Sequence, residues 1–156
     1  MSKICDHTSV GMLVWKENKL LLIERAQFPF GFAPPAGHVD GDQTFEDGAR
    51  RELKEEVGLE TQELKLVAEM RRENQCRRDG GNWHYWKIYQ VTVYGEINRS
   101  EEETKRTDWY SREEIQELAQ RTEKYKNKEI SEEEWKQNPG IEPVWYDWFQ
   151  QLKIIL

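Results

Sequence analysis

The sequence predicts a layered α/β domain. Three features carry that expectation: short apolar runs bounded by turn residues, apolar positions recurring at helical spacing, and the alternation of both patterns along one short chain. At 156 residues the chain suits one domain spanning 1–156, with too few residues for a second full core. Its composition is polar, 37% hydrophobic against 34% charged, but seven Trp, six Tyr and five Phe supply large apolar surfaces. That aromatic content argues against global disorder.

Residues 8–15 and 20–26 are apolar stretches separated by Lys16-Glu17-Asn18-Lys19, the pattern of two strands joined by a short polar turn. Residues 28–42 hold three of the five prolines and three of the ten glycines, which marks a loop of imposed shape. A helix is expected over 44–57. Thr44 and Asp47 give a capping-box-like start, Gly58 a stop, and Phe45, Ala49, Leu53 and Val57 an inward stripe. Residues 63–73 and 83–97 read as strands. The second has apolar residues on both parities, as expected of a central strand covered on both faces. Between them, residues 71–81 form a basic loop in an acidic chain.

Residues 98–108 read as a charged loop, and Ser111 as the cap of a helix reaching about Gln120, with Ile115, Leu118 and Ala119 inward. Residues 121–140 are highly charged and partly helical at the surface. Glu142-Pro143 opens a last helix whose Trp145, Trp148, Phe149 and Leu152 make a stripe suited to a core or to a homodimer surface.

A formal charge of −7 disfavours stable binding to long nucleic acids, because the mean field repels polyphosphate. No apolar run approaches the roughly 20 residues of a membrane span, and the first residues lack the basic and cleavage features of a secretory signal. Cys5 and Cys76 show no Cys-x-x-Cys spacing, and His7, His38 and His84 show no ligand spacing with them or with one another. A reduced, cytoplasmic chain without a disulfide framework is the expectation.

The chemistry concentrates between Gly37 and Leu59. On a helix, Glu52, Glu55 and Glu56 fall within an arc of roughly 100°. Like charges at this spacing repel, and these three adjoin the inward stripe of Ala49 and Leu53, where water screens least. A hard divalent cation with oxygen ligands is the natural compensation. A solvated acidic helix face is the alternative reading of the glutamates taken alone.

Gly37, Arg51, Glu52, Leu53, Glu55, Glu56, Gly58 and Leu59 stand in the register of the Nudix box, and the chain resembles the Nudix hydrolases. It departs once, with Gln43 where that family has its first Glu. The resemblance implies an α/β/α sandwich around a mixed sheet, and Mg²⁺- or Mn²⁺-dependent hydrolysis of a nucleoside diphosphate linked to another moiety. It implies metal ligation by Glu52 and Glu56, a site completed by Glu55, and the Gly37 carbonyl as a further ligand. The general base is left among these glutamates and a later acidic residue, for which Glu101, Glu102, Glu103 and Asp108 are candidates. Arg51 reads as an orienting partner for the loop and the carboxylates. An amide at position 43 keeps hydrogen-bonding geometry but loses a charge, so a nucleotide-binding domain without turnover stands as the alternative.

Arg71, Arg72, Arg77 and Arg78 are candidate phosphate or base contacts, and Trp83, Tyr85 and Trp86 candidate stacking partners. Solvated arginines and core aromatics are the competing reading. His38, inside the box loop, is expected to be structural or near substrate. Phe28, Phe30 and Phe32 suit loop anchors or a pocket entrance.

Overall fold

The computed structural model describes residues 3–42 and 44–156, so the expectation at Gln43 lies outside the described residues. Its elements are β1 (Thr8–Leu13), β2 (Trp15–Lys16), β3 (Lys19–Arg25), β4 (Phe32–Ala33), β5 (Ala36–Gly37), α1 (Phe45–Val57), β6 (Glu60–Arg72), β7 (His84–Tyr94), β8 (Thr104–Tyr110), α2 (Arg112–Lys126), α3 (Glu132–Gln137) and α4 (Pro143–Gln151). Among the described residues no helix is long and apolar enough to cross a membrane.

The strands form two four-stranded sheets. One has the order β5-β1-β7-β6 and is mixed: β1 runs parallel to β7, from Thr8 opposite Tyr85 to Leu13 opposite Gln90, while β5 and β6 are antiparallel to their neighbours. The other centres on β3, which pairs antiparallel with β2, β4 and β8. The sequence pattern at residues 8–26 therefore resolves differently from a simple hairpin. The hairpin is β2–β3, closed by Glu17 and Asn18 at positive φ, whereas β1 belongs to the other sheet. A two-residue turn with both φ values positive matches the twist of the strands it joins. Residues 98–108 also differ, since their second half enters β8. Lys105, Arg106 and Asp108 point charge outwards along an edge strand, which hides its strand character in the sequence.

Two apolar layers flank the sheets. Val10, Met12, Leu21, Ile23, Tyr89 and Val91 face α1, packing on Ala49, Leu53 and Val57. The alternate residues Leu13, Leu20, Leu22, Trp86 and Ile88 face α2 and α4, meeting Ile115, Ala119, Trp145, Trp148 and Phe149. Period-two alternation through β1, β3 and β7 thus builds an α/β/α sandwich. The aromatic stripe of α4 is core: Trp145, Trp148 and Phe149 are fully buried.

Gly11 in β1 permits that packing. A Cβ at this position would overlap the Trp145 ring and lie 3.0 Å from Ile88 Cδ1. Gly11→Val should therefore lower stability by about 1–3 kcal/mol through overpacking. The urea midpoint of the variant measures this, and an unchanged midpoint would contradict the packing.

Candidate functional site

Helix α1 positions the acidic residues through local rules. The Thr44 side chain accepts the Asp47 N–H at 3.0 Å, and Gly58 ends the helix at φ 79°, its N–H bonded to the Lys54 carbonyl. Ala49, Leu53 and Val57 fix the rotation of the helix, which turns Glu52 and Glu56 towards β5. There the absence of a side chain at Gly37 is decisive, because a Cβ would occupy the place of the Glu52 carboxylate. The Ala36 N–H donates to Glu56 Oε1 at 3.3 Å.

The C-terminal end of α1 recruits a third carboxylate. Its unpaired carbonyls at Glu56 and Val57 accept the N–H groups of Ser100 and Asn98, both at 2.8 Å. Thr104 Oγ1 and its N–H close the same loop on the Ser100 carbonyl, and the Glu103 carbonyl accepts from Ala26. Residues 98–104 are thereby laid across the helix end. Glu52, Glu56 and Glu103 each offer a carboxylate oxygen within 4.8 Å of the others. Glu55 stays outside this group: it is exposed, and Arg51 Nη1 holds its carboxylate at 3.1 Å.

Such a group is electrostatically costly. Burial pushes the Glu52 carboxyl up to about 7, against the Arg51 charge, with Glu103 and Glu55 adding repulsion. Glu56 is raised well above the usual carboxylate range by burial, opposed by Arg25 and reinforced by Glu52 and Glu103. Arg51 organises the surroundings. Its Nε meets Asp42 and its Nη1 meets Glu52, both at 2.9 Å, and Nη2 donates to the His38 carbonyl at 2.8 Å. Converging, partly buried oxygens beside a glycine that leaves the space open fit a hard divalent cation.

The three carboxylates border a cleft of about 400 Å³. Arg25, His38, Arg77, Arg78, Trp86 and Glu142 contribute to its lining. Arg77 is exposed, with no ion pair among the described residues, whereas Arg78 forms a two-pronged pair with Asp40. Trp86 reaches the cleft from the core; it is 3% exposed and its Nε1 donates to Asn74 at 3.1 Å. Arg71 stands apart from the cleft, its guanidinium 4.1 Å over the Trp83 ring and paired with Glu73 at 2.9 Å. Burial, helped by Arg78, lowers the His38 imidazole to about 4. The ring lies in a group with Cys5, Cys76 and His84, all four ligand atoms within 4.8 Å of one another. These residues show no ligand spacing in the sequence, and the fold brings them together from separate chain segments.

Residues 6–132 match the family model for the NUDIX domain. The chain belongs to the Nudix family. Among curated proteins it is 31% identical over 104 residues to the asymmetrical bis(5'-nucleosyl)-tetraphosphatase of Mus musculus, covering 65% of this chain and 70% of that one. It is 45% identical over 53 residues to an ADP-ribose pyrophosphatase of Methanocaldococcus jannaschii, a match spanning 33% of this chain and 31% of the relative. Among solved structures, the MutT Nudix hydrolase from Burkholderia pseudomallei superposes with a TM-score of 0.61 at 20% identity, covering 69% and 84% of the two chains. This last likeness concerns the fold.

Two residues of the Nudix cleft escape a reading of the sequence. Arg25 looks like the polar end of an apolar strand, yet its Nε is buried without a hydrogen-bond partner among the described residues. Glu142 looks like a helix cap, but its side chain makes no capping bond and is 5% exposed. Their signal is charge set within an apolar run, a Glu24-Arg25 pair in Leu22-Ile23-Glu24-Arg25-Ala26 and a single acid in Ile141-Glu142-Pro143-Val144.

Burial raises the Glu142 carboxyl from its ordinary 4.5 to about 7, with Arg25 the opposing charge. The folded chain therefore retains a proton that the unfolded chain releases near pH 4.5. Stability from this group is complete below that pH and is lost as pH rises towards 7. Relative to the unaltered chain, Glu142→Gln should gain stability on the order of 3 kcal/mol across this window. Urea unfolding at a series of pH values tests it, and parallel curves for the two proteins would refute the assignment.

Proposed function

We propose that the protein hydrolyses a phosphoric anhydride bond in a nucleotide derivative, a nucleoside diphosphate linked to another moiety, with Mg²⁺ or Mn²⁺ held by Glu52, Glu56 and Glu103. The convergence of these three carboxylates behind Gly37 carries the reading. When bound, the cation neutralises diphosphate charge and acidifies its bound water. The protein supplies the geometry. Arg51 fixes the Glu52 carboxylate and, through the His38 carbonyl, the loop that follows β5. Arg25 offers a buried donor without a partner among the described residues, suited to a phosphoryl oxygen, and exposed Arg77 offers a second cation at the rim. Glu55 acts here through Arg51, as a positioning residue. Water forms a new bond to phosphorus, the bridging P–O bond breaks, and two phosphorylated products leave.

Two similar proteins are named for ADP-ribose and for bis(5'-nucleosyl) tetraphosphates, both of which contain such anhydrides. These supply the first substrates to assay, with nucleoside triphosphates and NADH beside them. A cytoplasmic location, where thiols stay reduced, suits this reading. Turnover of at least one of these compounds is expected with Mg²⁺ or Mn²⁺ and not with chelator. Glu56→Gln should reduce kcat by about a hundredfold or more while leaving the chain folded, since one like charge is removed from a buried group. Near-full activity in that variant would overturn the site. Nucleotide binding without any turnover would instead identify a sensor domain, the outcome that an amide at Gln43 makes worth testing.

A further inference from the structure

We propose that Cys5, His38, Cys76 and His84 form a Cys₂His₂ site for a structural Zn²⁺, separate from the carboxylates of Glu52, Glu56 and Glu103. The geometry is that of a tetrahedral shell. Zinc bonds of about 2.3 Å to sulfur and 2.0–2.1 Å to nitrogen place neighbouring S and N ligands about 3.6 Å apart. Cys5 Sγ lies 3.4 Å from His84 Nε2 and 3.5 Å from His38 Nε2. All four ligand atoms fall within 4.8 Å of one another, and Cys5 and His84 are buried.

Independent features of the surroundings prepare each donor. Both sulfurs accept a backbone N–H from the second residue beyond them: His7 to Cys5 at 3.3 Å and Arg78 to Cys76 at 3.4 Å. The turn around Cys76 is shaped for its sulfur, with the Cys76 N–H bonded to the Gly81 carbonyl at 2.8 Å. A Cβ on Gly81 would occupy the position of Sγ. His84 is set in one tautomer. The Trp86 indole N–H can only donate, and it meets Asn74 Oδ1 at 3.1 Å. The same oxygen lies 3.2 Å from His84 Nδ1, which must therefore carry the proton. The Nε2 lone pair is left facing Cys5. A ring nitrogen fixed by an amide carbonyl while the other turns inward is the outer-shell arrangement of ligating histidines.

The donor set selects the metal. Thiolate with imidazole suits Zn²⁺ and is a poor match for Mg²⁺ or Ca²⁺. Binding transfers both thiol protons to solvent, so the filled site is neutral. Four protein ligands leave no open position, which assigns a structural role. The ion would join the segment before β1, the loop after β5, the 76–81 turn and the start of β7, fixing the turn that carries Arg77 and Arg78.

Metal analysis of the full, reduced chain tests this directly. The expected result is a single zinc per chain, resistant to excess Mg²⁺ and retained by Glu56→Gln. Cobalt in its place should show visible ligand-field bands of tetrahedral strength and a near-ultraviolet thiolate charge-transfer band. Cys76→Ser should remove the charge-transfer contribution of one sulfur and abolish stoichiometric zinc, and Asn74→Ala should weaken zinc by about 10–100-fold. The cobalt spectrum of the unaltered chain decides the matter even where a variant fails to fold. A spectrum without thiolate charge transfer, a Cys5–Cys76 disulfide in the purified protein, or zinc affinity unchanged in Cys76→Ser would each overturn the proposal.

Discussion

The burial of Glu52 and Glu56 is the constraint around which the rest of the structure is arranged. Two carboxylates one helical turn apart, 8% and 4% exposed, would repel each other and lose hydration in a protein interior. Local devices meet part of this cost: the Arg51 Nη1 bond to Glu52, the Ala36 N–H on Glu56, and the charge of Arg25. These do not neutralise the group, because Glu103 is brought in on a loop bonded to the helix end. A third negative charge beside two poorly compensated ones is what the proposed divalent cation would offset. Folding alone would be served as well or better by an apolar residue at either buried position.

What the sequence makes legible follows the range of the interactions involved. The helix over 44–57 is readable because its cap, stripe and stop lie within a few residues of one another, and the pairing of Glu52 with Glu56 follows from helical geometry. The central strand is readable because β7 is covered on both faces and carries apolar residues on both parities. Glu103 stands out poorly among neighbouring acids, since its position depends on carbonyls of α1 that belong to a different stretch of chain. The strand β8 is hidden for another reason: at an edge, charged outward residues mask its pairing with β3. Spacing rules fail most completely for Cys5, His38, Cys76 and His84. Their convergence depends on the parallel pairing of β1 with β7, a contact that no local pattern encodes.

The same distinction explains how an acidic protein can face a phosphate-rich ligand. The net charge of −7 describes the distant field, whereas binding is decided within a Debye length of the cleft. There the lining sets Glu52, Glu56, Glu103 and Glu142 against Lys3, Arg25, Arg77 and Arg78. Arg78 is engaged by Asp40, and Arg51 by Asp42, Glu52 and Glu55, so their charges are spent on holding loops. Arg25 and Arg77 form no ion pair among the described residues and would be open to a ligand. A diphosphate bridged to the carboxylates by a divalent cation would meet opposite charge on both sides, an arrangement unavailable to a long polyanion crossing the whole surface.

The dipeptide Gly37-His38 joins two environments of different chemical hardness. Gly37 makes room for the Glu52 carboxylate, while the His38 ring turns its Nε2 to the Cys5 sulfur. Between them, the His38 carbonyl accepts from Arg51 Nη2, the guanidinium that also fixes Glu52. A displacement of His38 towards or away from the thiols must therefore pass through a hydrogen bond to the residue that orients the carboxylate site. Oxygen ligands and thiolate–imidazole ligands prefer different ions, so the two groups can lie on neighbouring residues without competing for one metal. A zinc ion at the thiols would hold the loop on which the oxygen site rests, and its loss would be felt at Glu52 through Arg51 without any change in the carboxylates themselves.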